Sequence, residues 1–156
     1  MDNGVIRKFT IKDLNGVIEL ERKCFNKYSA YNPRQLKYLI TTANSNCLVE
    51  TINEEIRGFI IVLYCNGKKV AGIETLNVDP LYRRNGIGKK LLNTAEEDMY
   101  SRFIKKIRLE VSVGNLSAIN LYEKLGFKKI AILKDYYNYE QYKTYDAFRM
   151  IKELET

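Results

Sequence analysis

Hydrophobic spacing changes several times along this chain, and each change marks an element. Residues 5–9, Val-Ile-Arg-Lys-Phe, read as a first strand. Thr10 and Asp13, three apart, form a capping-box-like helix start. Ile11, Leu14, Ile18 and the Cys24/Phe25 pair, with Val17 and Leu20 beside them, give that helix an apolar face to about Cys24. Asn32 as cap, Pro33 at the first helical position and Gln35 at the third open a second helix. Leu36, Leu39 and Ile40 supply its buried side. Residues 47–52 and 56–64 are then two strands around a turn at 53–55. The stretch 58–64 is almost continuously apolar, which predicts a central strand covered on both faces. Asn66-Gly67 is a hairpin turn signal, and residues 70–78 are the next strand.

The spacing then lengthens to three and four. Ile87, Leu91, Leu92, Ala95, Met99 and Phe103 form one stripe of a core-facing helix. Residues 106–113 alternate as a strand, 116–125 form a short helix stopped by Gly126, and 127–133 and 146–151 close the chain as strands. The order β-α-α-β-β-β-α-β-α-β-β describes one mixed α/β domain over residues 1–156, with no repeat and no linker.

Between the strand ending at Val78 and the helix opening at Ile87 lies Asp-Pro-Leu-Tyr-Arg83-Arg84-Asn85-Gly86, followed by Ile87-Gly88-Lys89-Lys90. Gly86 and Gly88 remove side chains where backbone must approach a ligand. A strand, a glycine turn and a helix start aim the N–H groups of residues 84–89 at an anion such as a pyrophosphate. A plain tight turn with solvated basic side chains fits the isolated segment too. A dinucleotide fingerprint does not fit, because Gly-x-Gly-x-x-Gly is incomplete. A Walker motif does not either: Lys90 follows Gly88-Lys89 and offers no hydroxyl to Mg²⁺.

Composition narrows the chemistry. There is no histidine among the 156 residues. That excludes Ser-His-Asp and Cys-His catalysis and histidine metal sites, and no metal is expected. Proton transfer falls to Glu, Asp, Tyr, Lys, Cys or water. Three cysteines without CxxC spacing read as reduced, mostly buried thiols. The net charge of +7 favours anionic ligands. The basic residues are dispersed, with no block of five or more, which argues against a nucleic-acid footprint. No apolar run approaches the roughly 20 residues of a membrane span, and the first residues lack a signal peptide's apolar core. The expected location is the cytoplasm.

Arg83-x-x-Gly86-x-Gly88 resembles the acetyl-CoA signature of the GNAT N-acetyltransferase superfamily. Leu76-Asn77-Val78-Asp79-Pro80 is similar to that family's fourth strand and its exit. Leu109-Glu110-Val111, then Asn115, Ala118, Leu121-Tyr122-Glu123 and Leu125-Gly126-Phe127, resemble its second signature block. The resemblance covers essentially the whole chain and is greatest to the ribosomal-protein alanine acetyltransferase group, whose acceptor is an N-terminal α-amine. It implies the GNAT fold: a single mixed, mostly antiparallel sheet of about seven strands, flanked by about four helices, with a splay between strands 4 and 5. It also implies acetyl-CoA as cosubstrate and direct transfer to an amine.

The resemblance carries roles residue by residue. The backbone of Leu76, Asn77 and Val78 would bind the pantetheine arm and polarise the thioester carbonyl, joined by Asn115, which also suits a helix cap. Arg83, Arg84, Asn85, Gly86, Ile87, Gly88 and Lys89 would hold the pyrophosphate. Glu110 is the candidate general base; strand alternation sends it away from Leu109 and Val111. Glu74 on the neighbouring strand is the rival base and a candidate substrate-binding residue, and a water chain is a third route. Tyr122, twelve residues on, is the candidate general acid, since a phenol near pKa 10 is neutral at pH 7. A salt-bridged strand glutamate and a packing tyrosine are the plain alternatives. Tyr136 and Tyr137 resemble the acceptor-lining tyrosines of peptide α-amine relatives. The connection from Cys24 and Phe25 to Gln35 should form the other wall. It lacks the alanine group's Pro-Trp-Ser-like segment, so a peptide or protein N-terminus, a lysine side chain, a polyamine and another small amine all stay open. So do monomer and homodimer.

Overall fold

The computed structural model describes residues 4–25 and 30–155. Strand β1 is Val5–Lys8. A single 3-10 turn, Ile11–Asp13, follows, with the Thr10/Asp13 capping box in place, and runs directly into helix α1, Leu14–Cys24. Helix α2, Pro33–Thr41, starts as expected: the Asn32 side chain accepts from the Gln35 N–H, and Gln35 accepts from the Asn32 N–H. Strands β2 (Ser45–Ile52), β3 (Glu55–Tyr64) and β4 (Val70–Val78) follow. Then come helix α3 (Ile87–Ser101), strand β5 (Lys106–Ser112), helix α4 (Leu116–Lys124), and strands β6 (Lys128–Leu133) and β7 (Ala147–Glu153).

The strands make one seven-stranded sheet in the order β1-β2-β3-β4-β5-β7-β6. Every neighbouring pair is antiparallel except β4 with β5. β3 is the covered central strand that its apolar run predicts. Ile60 and Val62 join the core formed with Leu91, Leu92 and Met99 of α3. Phe59 and Ile61 point to the other face, into the core with Val17 and Leu20 of α1 and Leu36 of α2. This is the two-residue alternation of a strand with helices on both sides.

Two expectations fail. Phe103 is not on the core stripe. Helix α3 ends at Ser101, Phe103 takes φ 59° and stands 75% exposed, and Ile104 enters the core instead. The chain must reverse there to enter β5, which breaks the helical period. The cysteines are all free, but only Cys47 is buried; Cys24 is half-buried and Cys65 is exposed beside the turn after β3. No helix among the described residues is long and apolar enough to cross a membrane.

Candidate active site

The site exists because β4 and β5 part. They pair only over residues 70–72 with 106–108. β4 nevertheless stays on β3 to Val78, and β5 stays on β7 to Ser112. Past Gly72 and Arg108 a wedge therefore opens inside a continuous sheet, exposing strand edges that elsewhere would be paired. This is the expected splay.

One cleft of about 310 Å³ occupies the wedge. It brings together Glu74 and Leu76 of β4, Glu110 of β5, Asn115 and Tyr122 at α4, and Tyr136 and Tyr137 from the β6–β7 connection. The phosphate-turn residues, Arg83 to Lys89, do not line it. They adjoin it: a Cβ built on Gly88 would lie 3.7–3.9 Å from Leu121, Val78 and Leu76.

The turn is braced from below. The buried Asp79 carboxylate accepts from the Leu81 N–H at 3.0 Å and pairs with Lys23 at 3.2 Å. The Arg57 guanidinium, itself bonded to buried Glu50, lies 5.1 Å from the Tyr82 ring centre. Arg83 Nε donates to the Val78 carbonyl at 3.1 Å, and Asn85 Nδ2 to the Tyr82 carbonyl at 3.0 Å. Those two side chains therefore shape the turn, leaving backbone to face outward. Arg84 and Gly86 are left-handed, at φ 68° and 78°. Gly86 caps α3, and a Cβ there would meet nothing within 4 Å. The conformation, not crowding, calls for glycine at 86. At 88 a Cβ meets only ordinary contacts, so the protein alone does not demand glycine there.

Glu110 behaves as alternation predicts: Leu109 and Val111 are buried, and its carboxylate turns into the cleft. It is also ion-paired. Arg149, its cross-strand partner, donates at 3.2 Å; Arg108 lies at 3.6 Å; and the Tyr136 hydroxyl is at 3.4 Å. Tyr122 is 9% exposed, with its ring edge-on to Phe127. Burial pushes its phenol up to about 12, which keeps it protonated at neutral pH. Asn115 caps α4 through the Ala118 N–H at 3.2 Å while lining the cleft, so both of its expected roles are compatible.

Asn77 differs from the rest. Its side chain turns away into a buried network: Nδ2 donates to Glu21 at 2.7 Å, and Oδ1 accepts from Thr75 at 3.1 Å. Glu21 also accepts from the Tyr31 N–H at 2.9 Å. Burial raises the Glu21 carboxyl above its usual range, and these two hydrogen bonds oppose the shift. The Tyr31 hydroxyl donates to Glu74, and burial, then Glu74, raise that phenol. Glu21, Phe25, Tyr31, Tyr139 and Gln141 all line the cleft beside the expected residues. Glu21 carried a signal in the sequence, since it interrupts the apolar stripe Val17–Glu21–Cys24 at helical spacing. The expected second wall, from Cys24 to Gln35, contributes Phe25 and Tyr31; its residues 26–29 lie outside the described residues.

The chain is 30% identical over 142 residues to an uncharacterized N-acetyltransferase of Methanocaldococcus jannaschii, covering 83% of this chain and 62% of that protein. It is 36% identical over 113 residues to human N-alpha-acetyltransferase 30, covering 70% and 30%. To the [ribosomal protein bS18]-alanine N-acetyltransferase of Escherichia coli it is 39% identical over 67 residues, covering 43% and 45%. The chain thus spans less than two thirds of the length of each of these curated relatives. The crystal structure of that E. coli enzyme superposes with a TM-score of 0.86 at 24% identity, over 98% of this chain and 95% of the other, and so shares the fold. Residues 14–127 match the model of the acetyltransferase (GNAT) family, and the chain belongs to that family.

Proposed function

We propose that the protein is an acetyl-CoA-dependent N-acetyltransferase whose acceptor is a protein or peptide N-terminal α-amine. The observation that carries this reading is the wedge between β4 and β5, where Glu110 and Tyr122 meet in one cleft beside the glycine turn. The N–H groups of residues 84–89 cradle the donor's pyrophosphate, and Arg84, Lys89 and Lys90 add charge. The unpaired edge of β4 at Leu76 to Val78, with Asn115, holds the pantetheine arm. The three free cysteines fit a reducing compartment such as the cytoplasm.

Glu110 takes the proton from the acceptor ammonium, directly or through water, and the amine nitrogen attacks the thioester carbon. The new C–N bond forms, the now positive nitrogen gives its second proton to water, the tetrahedral oxyanion collapses, and the C–S bond breaks. Tyr122 gives its proton to the departing thiolate and regains one from solvent. No covalent enzyme intermediate is needed, so the absence of histidine from the sequence is no obstacle. One relative named an N-alpha-acetyltransferase and another named a ribosomal-protein alanine N-acetyltransferase support the α-amine as acceptor. Tyr136 and Tyr137 at the cleft mouth support a peptide.

A thiol-release screen with acetyl-CoA against unblocked peptides, N-terminally blocked peptides and polyamines tests this. The expected result is CoA release with unblocked peptides and the acetyl group on the α-amine by mass spectrometry. Release only with polyamines or with lysine side chains overturns the acceptor; acetyl-CoA binding with no release on any amine overturns the enzyme.

A further inference from the structure

The chain carries 26 Lys and Arg against 19 Asp and Glu, yet among the described residues the cleft is lined by three carboxylates, Glu21, Glu74 and Glu110, and by no Lys or Arg. Against a basic protein this local reversal of sign is informative, because a cleft of one sign concentrates ligands of the other. The three carboxylates are not equivalent. Glu21 is buried and spent on Asn77 and the Tyr31 N–H. Glu110 is compensated by Arg149 and Arg108. Glu74 is exposed, and its only partner among the described residues is the neutral Tyr31 hydroxyl.

The backbone aims Glu74 at this place. In the β3–β4 register Ile61 faces Thr75 and Val62 faces Ile73, so Glu74 is the extra residue of a β-bulge. Bulges re-aim a side chain and commonly sit beside active sites. Glu74 also stands two residues past Gly72, as Glu110 stands two past Arg108, the last paired level. The two carboxylates therefore flank the wedge at the same height, one compensated and one not.

We infer that Glu74 is a specificity-determining residue that selects acceptors carrying a second positive charge close to the reacting amine. Resting on the acetyltransferase reading, this names its substrate class: an α-amine followed by a basic residue, with a diamine sharing the same chemistry. Glu110 serves the reacting nitrogen and Glu74 holds the second cation. The Tyr31 hydroxyl hydrogen-bonds Glu74 but leaves its charge uncompensated.

The test uses three peptides identical except at the second residue, Ala-Arg, Ala-Gln and Ala-Glu, together with 1,4-diaminobutane against butylamine. Wild-type kcat/KM should favour Ala-Arg over Ala-Glu by about fivefold, the upper end for one partly exposed ion pair. KM should carry the preference, and added salt should erode it. Glu74→Gln should bring the ratio near one, and Glu74→Lys should invert it. Tyr31→Phe, which keeps the charge, should preserve the ratio. A wild-type ratio of one, or a Glu74→Gln variant that slows all acceptors equally, overturns the inference. Turnover of Ala-Gln tests the α-amine reading separately. If no peptide is acetylated, the diamine-to-butylamine ratio and the direct affinities of the Ala-Arg and Ala-Glu peptides still decide the matter, a ratio of one in both overturning it.

Discussion

On the proposed donor side, from Leu76 to Lys89, backbone N–H and C=O groups would meet the ligand, and the nearby side chains of Asp79, Arg83 and Asn85 bond back to the turn's own backbone. On the proposed acceptor side the cleft is lined by side chains from five separated places: Glu21, Tyr31, Glu74, Glu110 and the 136–141 connection. Backbone recognition suits a ligand shared by a whole family, because it tolerates drift wherever the backbone conformation does not require glycine, as it does at 86. Side-chain recognition suits a ligand that varies. One chain thus carries a generic half and an individual half, joined at Leu76, which borders both.

Substitutions sharpen this division, and the largest effects belong to the chemistry at the seam. Tyr122→Phe should lower kcat by about 10²-fold or more, the usual contribution of a positioned acid, while acetyl-CoA affinity stays within about twofold. Equal loss in affinity would assign Tyr122 to donor binding. Glu110→Gln keeps the shape and an acceptor for Arg149 but cannot take a proton, and should cost about 10²-fold in kcat. An unchanged rate would hand the role to Glu74 or water, and steady-state kinetics decides.

Effects on the donor side should appear in affinity. Gly86→Val forces a β-branched residue to φ 78° and should weaken acetyl-CoA by about tenfold or more, equal to about 1.4 kcal/mol. Gly88→Ala should fold with equal or better stability, since Ala is the better helix former by up to about 1 kcal/mol. Its donor affinity should change less than threefold, by titration calorimetry.

The smallest effect is a pH slope. The Glu21 carboxyl is raised in the folded state, so folded protein holds the proton more tightly than unfolded protein. Stability contributed by the protonated form is full below the unfolded value near 4.3 and falls as pH rises to the folded value. Glu21→Gln lacks this loss, so its stability relative to wild type should rise from pH 4 to pH 7 in urea melts.

The generic half was the more legible in sequence. Caps at Thr10, Asn32 and Asn115, the stripe of α3 and the turn at 79–90 are local signals, written within a few residues of where they act. Phe103 falls off the stripe because the helix end is set by the approach to β5 rather than by helical period. The acceptor half depends on contacts that sequence spacing does not encode. Asn77 meets Glu21 across 56 residues, Tyr31 meets Glu74 across 43, and Glu110 meets Arg149 across 39. Glu110 and Tyr122 were found through a motif. Glu21 is marked only by its charge on an apolar stripe.

The claim that the donor is held by backbone at the turn is tested most directly by amide NMR. The ¹⁵N-labelled protein is titrated with acetyl-CoA and, separately, with S-acetylpantetheine, which lacks the pyrophosphate. Saturable shifts are expected at the amides of Gly86, Ile87, Gly88 and Lys89 with acetyl-CoA, and at Leu76 to Val78 but not at the turn with S-acetylpantetheine. Turn amides that stay unmoved by saturating acetyl-CoA, or that move equally with both ligands, would contradict it.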